Sequence, residues 1–166
     1  ALDFIELSDA RQCADIWRVR GALVKAVEAV SEQEPVGIVV PISRTADFIR
    51  FINDLEAQSG MQMVSFGHAG DGNVHLCVVR GERDEETWQR ELHENMDRAY
   101  AEAYRLGGVA SGEHGIGLSK RPYFLRQTAK ENLQAMNAIK TALDPQHILN
   151  NRKSYLTGGN NNAGTF

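Results

Sequence analysis

Two histidines, His68 and His75, bracket a glycine-rich turn in the segment HAGDGNVH, and a second histidine follows in SGEHGIG, where Glu113 and His114 lie between Gly112 and Gly115. Imidazole and carboxylate groups at this density point to a metal site beside a base. The runs Met61 to Gly67 and Val74 to Arg80 read as strands, so Asp71 and Gly72 are expected to turn a hairpin. A symmetric loop sets His68 directly opposite His75, and opposed side chains on one sheet face stand about 4.5–5.5 Å apart. Two imidazoles at that spacing can share one cation. Glu113 then supplies a third, anionic ligand, and a His2Glu set is a known zinc arrangement that leaves a position open for substrate. Glycines around Glu113 and His114 permit a close backbone approach to a ligand.

The elements that must position these groups follow from periodicity. A short alternating segment, Leu2 to Leu7, precedes a helix expected over Asp9 to Ser31, with Ile16, Val19, Leu23, Ala26, Val27 and Val30 on one face and Ser8 or Asp9 as cap. Val36 to Pro41 is an apolar run of strand length. Ser43 opens a helix that buries Phe48, Ile49, Phe51, Ile52 and Leu55 and stops at Gly60. After the hairpin, Glu85 to Leu106 carries Trp88, Leu92, Met96, Ala99, Ala103 and Leu106 at helical spacing, and Val109 to Ser111 reads as a short strand leading into GEHG. The order β, α, β, β, α, β is that of an α+β, ferredoxin-like antiparallel sheet with helices on one face. A helical extension is expected over Pro122 to Leu143, with Leu125, Leu133, Met136, Ile139 and Leu143 inward and Asp144-Pro145 as its stop. Residues 1–156 thus form one domain, and the polar, repetitive residues 157–166 are expected to be a disordered tail.

Charge and cysteine usage exclude several classes. A net charge of −4 without a basic cluster argues against nucleic acid as a partner. Cys13 and Cys77 show no CxxC spacing and read as free thiols of a reducing compartment. No apolar run reaches the length of a membrane span and no leader is visible, which suits a cytoplasmic setting compatible with peripheral membrane association. There is no GxGxxG and no P-loop.

HAGDGNVH, SGEHGIG and the closing LDPQHILNNRK together resemble the C-terminal region of FAD-linked 2-hydroxyacid dehydrogenases of the vanillyl-alcohol oxidase type, the group of D-lactate dehydrogenases and the glycolate oxidase flavin subunit. Trp17 with Arg20, and the stretch Val39 to Ser43, extend the resemblance over most of the chain. It implies oxidation of a C2 hydroxyl to a ketone, with hydride passing to FAD. It also implies that the family's flavin-binding domain lies in a part of the protein that this chain does not carry, so the chain is expected to be a fragment that is inactive by itself.

On that resemblance, His68, His75 and Glu113 hold a divalent cation, zinc first and manganese or iron as alternatives. His114 is the base for the hydroxyl proton, since an imidazole near pKa 6.5 is competent at neutral pH. Arg20 matches the arginine that grips the substrate carboxylate, Asn150 falls where the family approaches the flavin, and Asp71 and Asn73 either orient the ligand histidines or only form the turn. His93 and His147 read as surface residues without partners.

The chain departs from the family pattern in ways that bear on substrate. Gly21 and Gly37 stand where Glu and Asp are usual, and the closing Pro-Gly pair is Asn151-Arg152. Pro35, Val24 and Cys77 occupy the places of the Lys, Thr and Asn that meet a distal carboxylate in dicarboxylate-specific relatives, which favours a short monocarboxylate such as lactate or glycolate. The expected partners are this small 2-hydroxyacid, the FAD-binding domain of the same protein, and an electron-transfer flavoprotein or iron-sulfur acceptor. The alternative is a freestanding ferredoxin-like module that binds a metal or small acid without chemistry, or a purely structural domain. His114 separates them, because a binder has no use for a base beside a filled ligand set.

Overall fold

Strand Asn73–Val79 (β3) organises the molecule: it lies between Gln33–Val39 (β1) and Met63–His68 (β2) and pairs antiparallel with both, giving the order β1-β3-β2. The structure is a computed structural model that describes residues 5–150 and 153. Helix Thr45–Ser59 (α3) connects β1 to β2, and Glu85–Arg105 (α4) follows β3. This is the split βαβ arrangement, and the fold is α+β as the element order implied. The fourth strand of that arrangement shrinks to a single bridge. Val109 exchanges both backbone hydrogen bonds with Val39 on the outer edge of β1, at 3.2 and 2.8 Å.

Alternation along the strands divides the sheet into two faces. Val36 and Ile38 of β1, Val74, Leu76 and Val78 of β3, and Met63 of β2 pack into one core with Phe48, Ile52 and Leu55 of α3 and Trp88, Met96, Ala99 and Ala103 of α4. Phe48, Ile52 and Leu55 recur at the three- and four-residue spacing of one helical face, and truncating a buried Phe48 to Ala should cost about 3–5 kcal/mol. α3 ends on Gly60, which is left-handed at φ 66°. α4 starts at Asp84, whose carboxylate accepts from the Thr87 amide at 2.8 Å, with Glu85 and Glu86 at the positive end of the helix dipole. The opposite face carries three cross-strand rows: Val39, Asn73 and His68; Gly37, His75 and Phe66; Pro35, Cys77 and Val64.

Three expectations are corrected. The single helix over Asp9 to Ser31 is two, Ala10–Gly21 (α1) and Leu23–Glu28 (α2), broken at Ala22 after a glycine that lowers helix stability. Asp9 caps α1 through the Arg11 and Gln12 amides, but the expected inward face is open: Ile16, Val19 and Leu23 are exposed, and neither helix has a buried residue. The helix over Pro122 to Leu143 is likewise two, Arg121–Gln127 (α5) and Lys130–Leu143 (α6). Thr128 is extended there, and its hydroxyl donates to the Phe124 carbonyl at 2.7 Å, which favours a helix end. Only Leu125, Leu133 and Met136 of the expected inward set are partly covered, while Ile139 and Leu143 are exposed. Of the alternating segment Leu2 to Leu7, Ile5 to Leu7 are not in a strand and the rest lies outside the described residues, as does the tail over 157–166. No helix among the described residues is long and apolar enough to cross a membrane.

Candidate active site

The hairpin turn comprises Ala69 to Gly72 and closes on the pair His68 with Asn73. Asp71 makes this turn: its amide donates to the His68 carbonyl at 3.2 Å, and its carboxylate accepts from the Asn73 amide at 2.9 Å. Gly72 has φ 75°, and a Cβ there would lie 2.0 Å from the Val40 carbonyl oxygen, so the tip fits against the end of β1 only as glycine. The Gly72 carbonyl in turn accepts from the Val40 amide at 3.1 Å.

This four-residue turn corrects the expected facing pair. His68 lies opposite Asn73 and His75 opposite Phe66, so the histidines are diagonal neighbours on one face. Their rings still meet edge to face, with centroids 5.2 Å apart.

The second segment arrives over the outer face of the sheet. Past the Val109 bridge the chain leaves the edge of β1, and Gly112 passes so close that a Cβ would stand 2.5 Å from Val39 Cγ2 and 3.1 Å from Asn73 Cγ. Glu113 is thereby set over the histidines. Its Oε1 lies 3.2 Å from His75 Nε2, 3.7 Å from His68 Nε2 and 3.6 Å from His114 Nε2, and accepts from Asn73 Nδ2 at 3.1 Å. Asn73 therefore braces the carboxylate rather than a histidine. The His114 ring stacks on His75 with centroids 5.1 Å apart and planes 17° apart. Gly37 makes room beneath it, since a Cβ there would be 3.2 Å from His114 Nδ1.

The donor set suits a divalent cation. One atom from each of His68, His75 and Glu113 can be chosen so that all lie within 4.8 Å of one another. Glu113 Oε1, 3.2 Å from His75 Nε2 and 3.7 Å from His68 Nε2, is close enough to both imidazoles for the three groups to share one cation. Burial, then the neighbouring His114, pushes the His75 pKa down, with His68 and Lys120 adding to the effect and Glu113 opposing it. A neutral imidazole is the form that ligates metal.

Other candidate residues lie apart from this cluster. Arg20 is exposed on α1 with its guanidinium over the Trp17 ring at 5.8 Å, and makes no hydrogen bond or ion pair with the cluster. Asn150 is exposed at φ 49°. His93, expected to have no partner, has two: Nδ1 lies 3.4 Å from the Tyr123 hydroxyl and Nε2 lies 3.8 Å from Asp97. Cys13 and Cys77 are free, as expected. Sequence reasoning passed over Lys120, a buried lysine whose ammonium donates to the Gly37 carbonyl at 3.1 Å and to the Ser111 hydroxyl at 3.2 Å. Its one sequence signal is its place at the close of SGEHGIGLSK.

Comparison with known proteins places the chain beside FAD-linked oxidoreductases. The model of the family "FAD linked oxidases, C-terminal domain" matches residues 1–154. A D-lactate dehydrogenase of Anaerostipes hadrus is 36% identical over 151 residues, covering 90% of this chain and 32% of that protein. Glycolate oxidase subunit GlcD of Bacillus subtilis is 34% identical over 161 residues, covering 92% and 33%. A D-lactate dehydrogenase of Archaeoglobus fulgidus is 32% identical over 152 residues, covering 90% and 32%. The chain spans about a third of the length of these relatives.

Proposed function

We propose a role in flavin-dependent oxidation of a short 2-hydroxyacid for this chain, which belongs to the family of FAD linked oxidase C-terminal domains. The observation that carries the proposal is the convergence of three imidazole nitrogens on one Glu113 oxygen, within 3.2 to 3.7 Å, on the sheet face turned away from the core. His68, His75 and Glu113 would hold the cation, with zinc the leading identity and manganese or iron the alternatives. A bound cation supplies Lewis acidity at the hydroxyl oxygen of the substrate. A bound FAD, held mainly by another domain of the full-length protein, supplies the acceptor for the hydride from C2.

The chain's own residues would do the rest. His114 takes the hydroxyl proton at Nε2, beside the carboxylate that Asn73 holds in place. Arg20, exposed on α1, is the proposed grip on the substrate carboxylate. Asn150 is proposed to meet the flavin. Beyond the histidines, the sheet face continues as Pro35, Cys77 and Val64, none of which is itself a cation that could meet a second carboxylate. That favours lactate or glycolate over a dicarboxylate. Electrons would leave through an electron-transfer flavoprotein or an iron-sulfur partner.

His114→Ala, made in the full-length flavoprotein, tests the assignment. Turnover should fall by about 10²–10⁴-fold while metal content stays at the wild-type level. Retained turnover would remove the proposed base. Loss of metal together with turnover would recast His114 as a ligand.

A further inference from the structure

The strand pairing at the edge of β1 stops abruptly, and one side chain occupies the place where it would continue. Val39 and Val109 exchange both backbone hydrogen bonds. In an antiparallel ladder the next pair of this kind lies two residues along each strand, which would set Ser111 opposite Gly37. That pair does not form. The Gly37 carbonyl accepts instead from Lys120 Nζ at 3.1 Å, and the same ammonium donates to Ser111 Oγ at 3.2 Å. A lysine stands in for the missing strand.

Ala110 and Lys120 are buried, 1% and 6% exposed, while Gly112 to Gly115 and Gly117 to Ser119 are exposed. The stretch is therefore anchored at two ends and carried over the sheet between them. Gly37 is bonded at its carbonyl by Lys120 and lies against the His114 ring at its α-carbon, so the tie ends directly beneath the imidazole. Burying an ammonium is unfavourable unless its donors are used, and burial pushes the Lys120 pKa down while Glu34 draws it back up. A lysine at such a position calls for a return beyond packing.

We propose that Lys120 is a positioning residue: by replacing the Gly37–Ser111 strand pair, it lifts the chain off the sheet edge and sets Glu113 and His114 over His75. The proposal rests on the reading of Glu113 as a metal ligand for its effect on binding, and on geometry alone for its effect on the imidazoles.

The test uses zinc titration against a competing chelator on the full chain, with Lys120→Met, Ser111→Ala, Glu113→Gln and the Lys120→Met/Glu113→Gln double variant. Lys120→Met should weaken zinc binding by about 10–100-fold, as loss of a group that orients a ligand does, with Ser111→Ala losing about 3–10-fold. In the Glu113→Gln background, Lys120→Met should cost nothing further, whereas a general loss of structure would subtract the same factor again. A metal-free readout accompanies it. The ring-proton shifts of His75 and His114, which stack, should move in Lys120→Met and Ser111→Ala, while those of His147 stay. Unchanged histidine shifts in both variants overturn the proposal whatever zinc does, and equal zinc losses in both backgrounds do so too. If Lys120→Met does not fold, Ser111→Ala decides alone by the same shifts. Zinc binding unaltered in Glu113→Gln overturns the metal reading instead, and the shifts then still decide the role of Lys120.

Discussion

Adding one methyl group at Gly112 should disable the site while leaving the fold intact. A Cβ at this position would stand 2.5 Å from Val39 Cγ2 and 3.1 Å from Asn73 Cγ and Nδ2. Carbon atoms rest at about 3.5–4.0 Å, so the backbone must rise by roughly 1 Å to admit it. Glu113 is the next residue and moves with it. Metal sites tolerate donor displacements of only about 0.2 Å, so a shift of this size breaks the shell shared with His68 and His75. Gly112 is exposed and has no part in the core, which limits the stability loss to about 1 kcal/mol or less, a shift in Tm of roughly 2–4 °C at most for a chain this long. Gly112→Ala should therefore weaken zinc at least about tenfold, by competitive titration, with a nearly unchanged melt in chelator. Val39→Ala removes the nearer obstacle, and the double variant should regain part of the affinity. Wild-type zinc affinity in Gly112→Ala would refute the close passage, and so would a double variant no better than the single one.

Gly72→Ala acts on the fold instead: a left-handed alanine costs about 1–2 kcal/mol, and losing the Val40 bond adds about 1 kcal/mol, so the urea midpoint should drop by the equivalent of about 2–3 kcal/mol. A change under about 1 kcal/mol would contradict the packing of the hairpin tip on β1. Because the folded-state pKa of His75 is depressed, its contribution to stability is intact above about pH 6.5 and declines as pH falls through the lower folded value. Urea midpoints in chelator should fall between about pH 7.5 and about pH 5.5, less so in His75→Gln. Asp144 accepts from Lys140 Nζ and from the Ile148 and Leu149 amides, and the lysine first of all holds its pKa down. Its contribution is present above about pH 3.8 and lost as pH falls below, so Asp144→Asn should lower stability at neutral pH and flatten the acid limb of the profile.

What the sequence discloses depends on how locally each feature is determined. α3 and α4 are legible because Phe48, Ile52 and Leu55, and Trp88, Met96, Ala99 and Ala103, repeat within the span of the helices themselves. The four chemical groups of the cluster are legible because two short segments carry them all. The His68 to His75 pairing is not, because one residue of turn asymmetry changes every partner, and nothing local distinguishes a turn centred between Gly70 and Asp71 from one centred a residue later. The faces of α1 and α6 mislead for another reason. Periodicity shows that a face is apolar, and Ile16, Val19, Ile139 and Leu143 have no described neighbour to cover them. Lys120 is silent in sequence because its role exists only where β1 and the end of the loop come together, 83 residues apart.

The two-faced strand β3 carries a consequence for how such a protein can change over time. Residues 74, 76 and 78 serve the core, while 73 and 75 serve the cluster, so an even position and an odd one answer to different selection. Point substitutions can explore one class without disturbing the other. A one-residue insertion or deletion within β3 exchanges the classes at a stroke, exposing Leu76 and driving His75 into the core. Length variation in this lineage should consequently be confined to places such as the stretch after β3 and the junction of α5 with α6, with the seven residues of β3 kept in strict count.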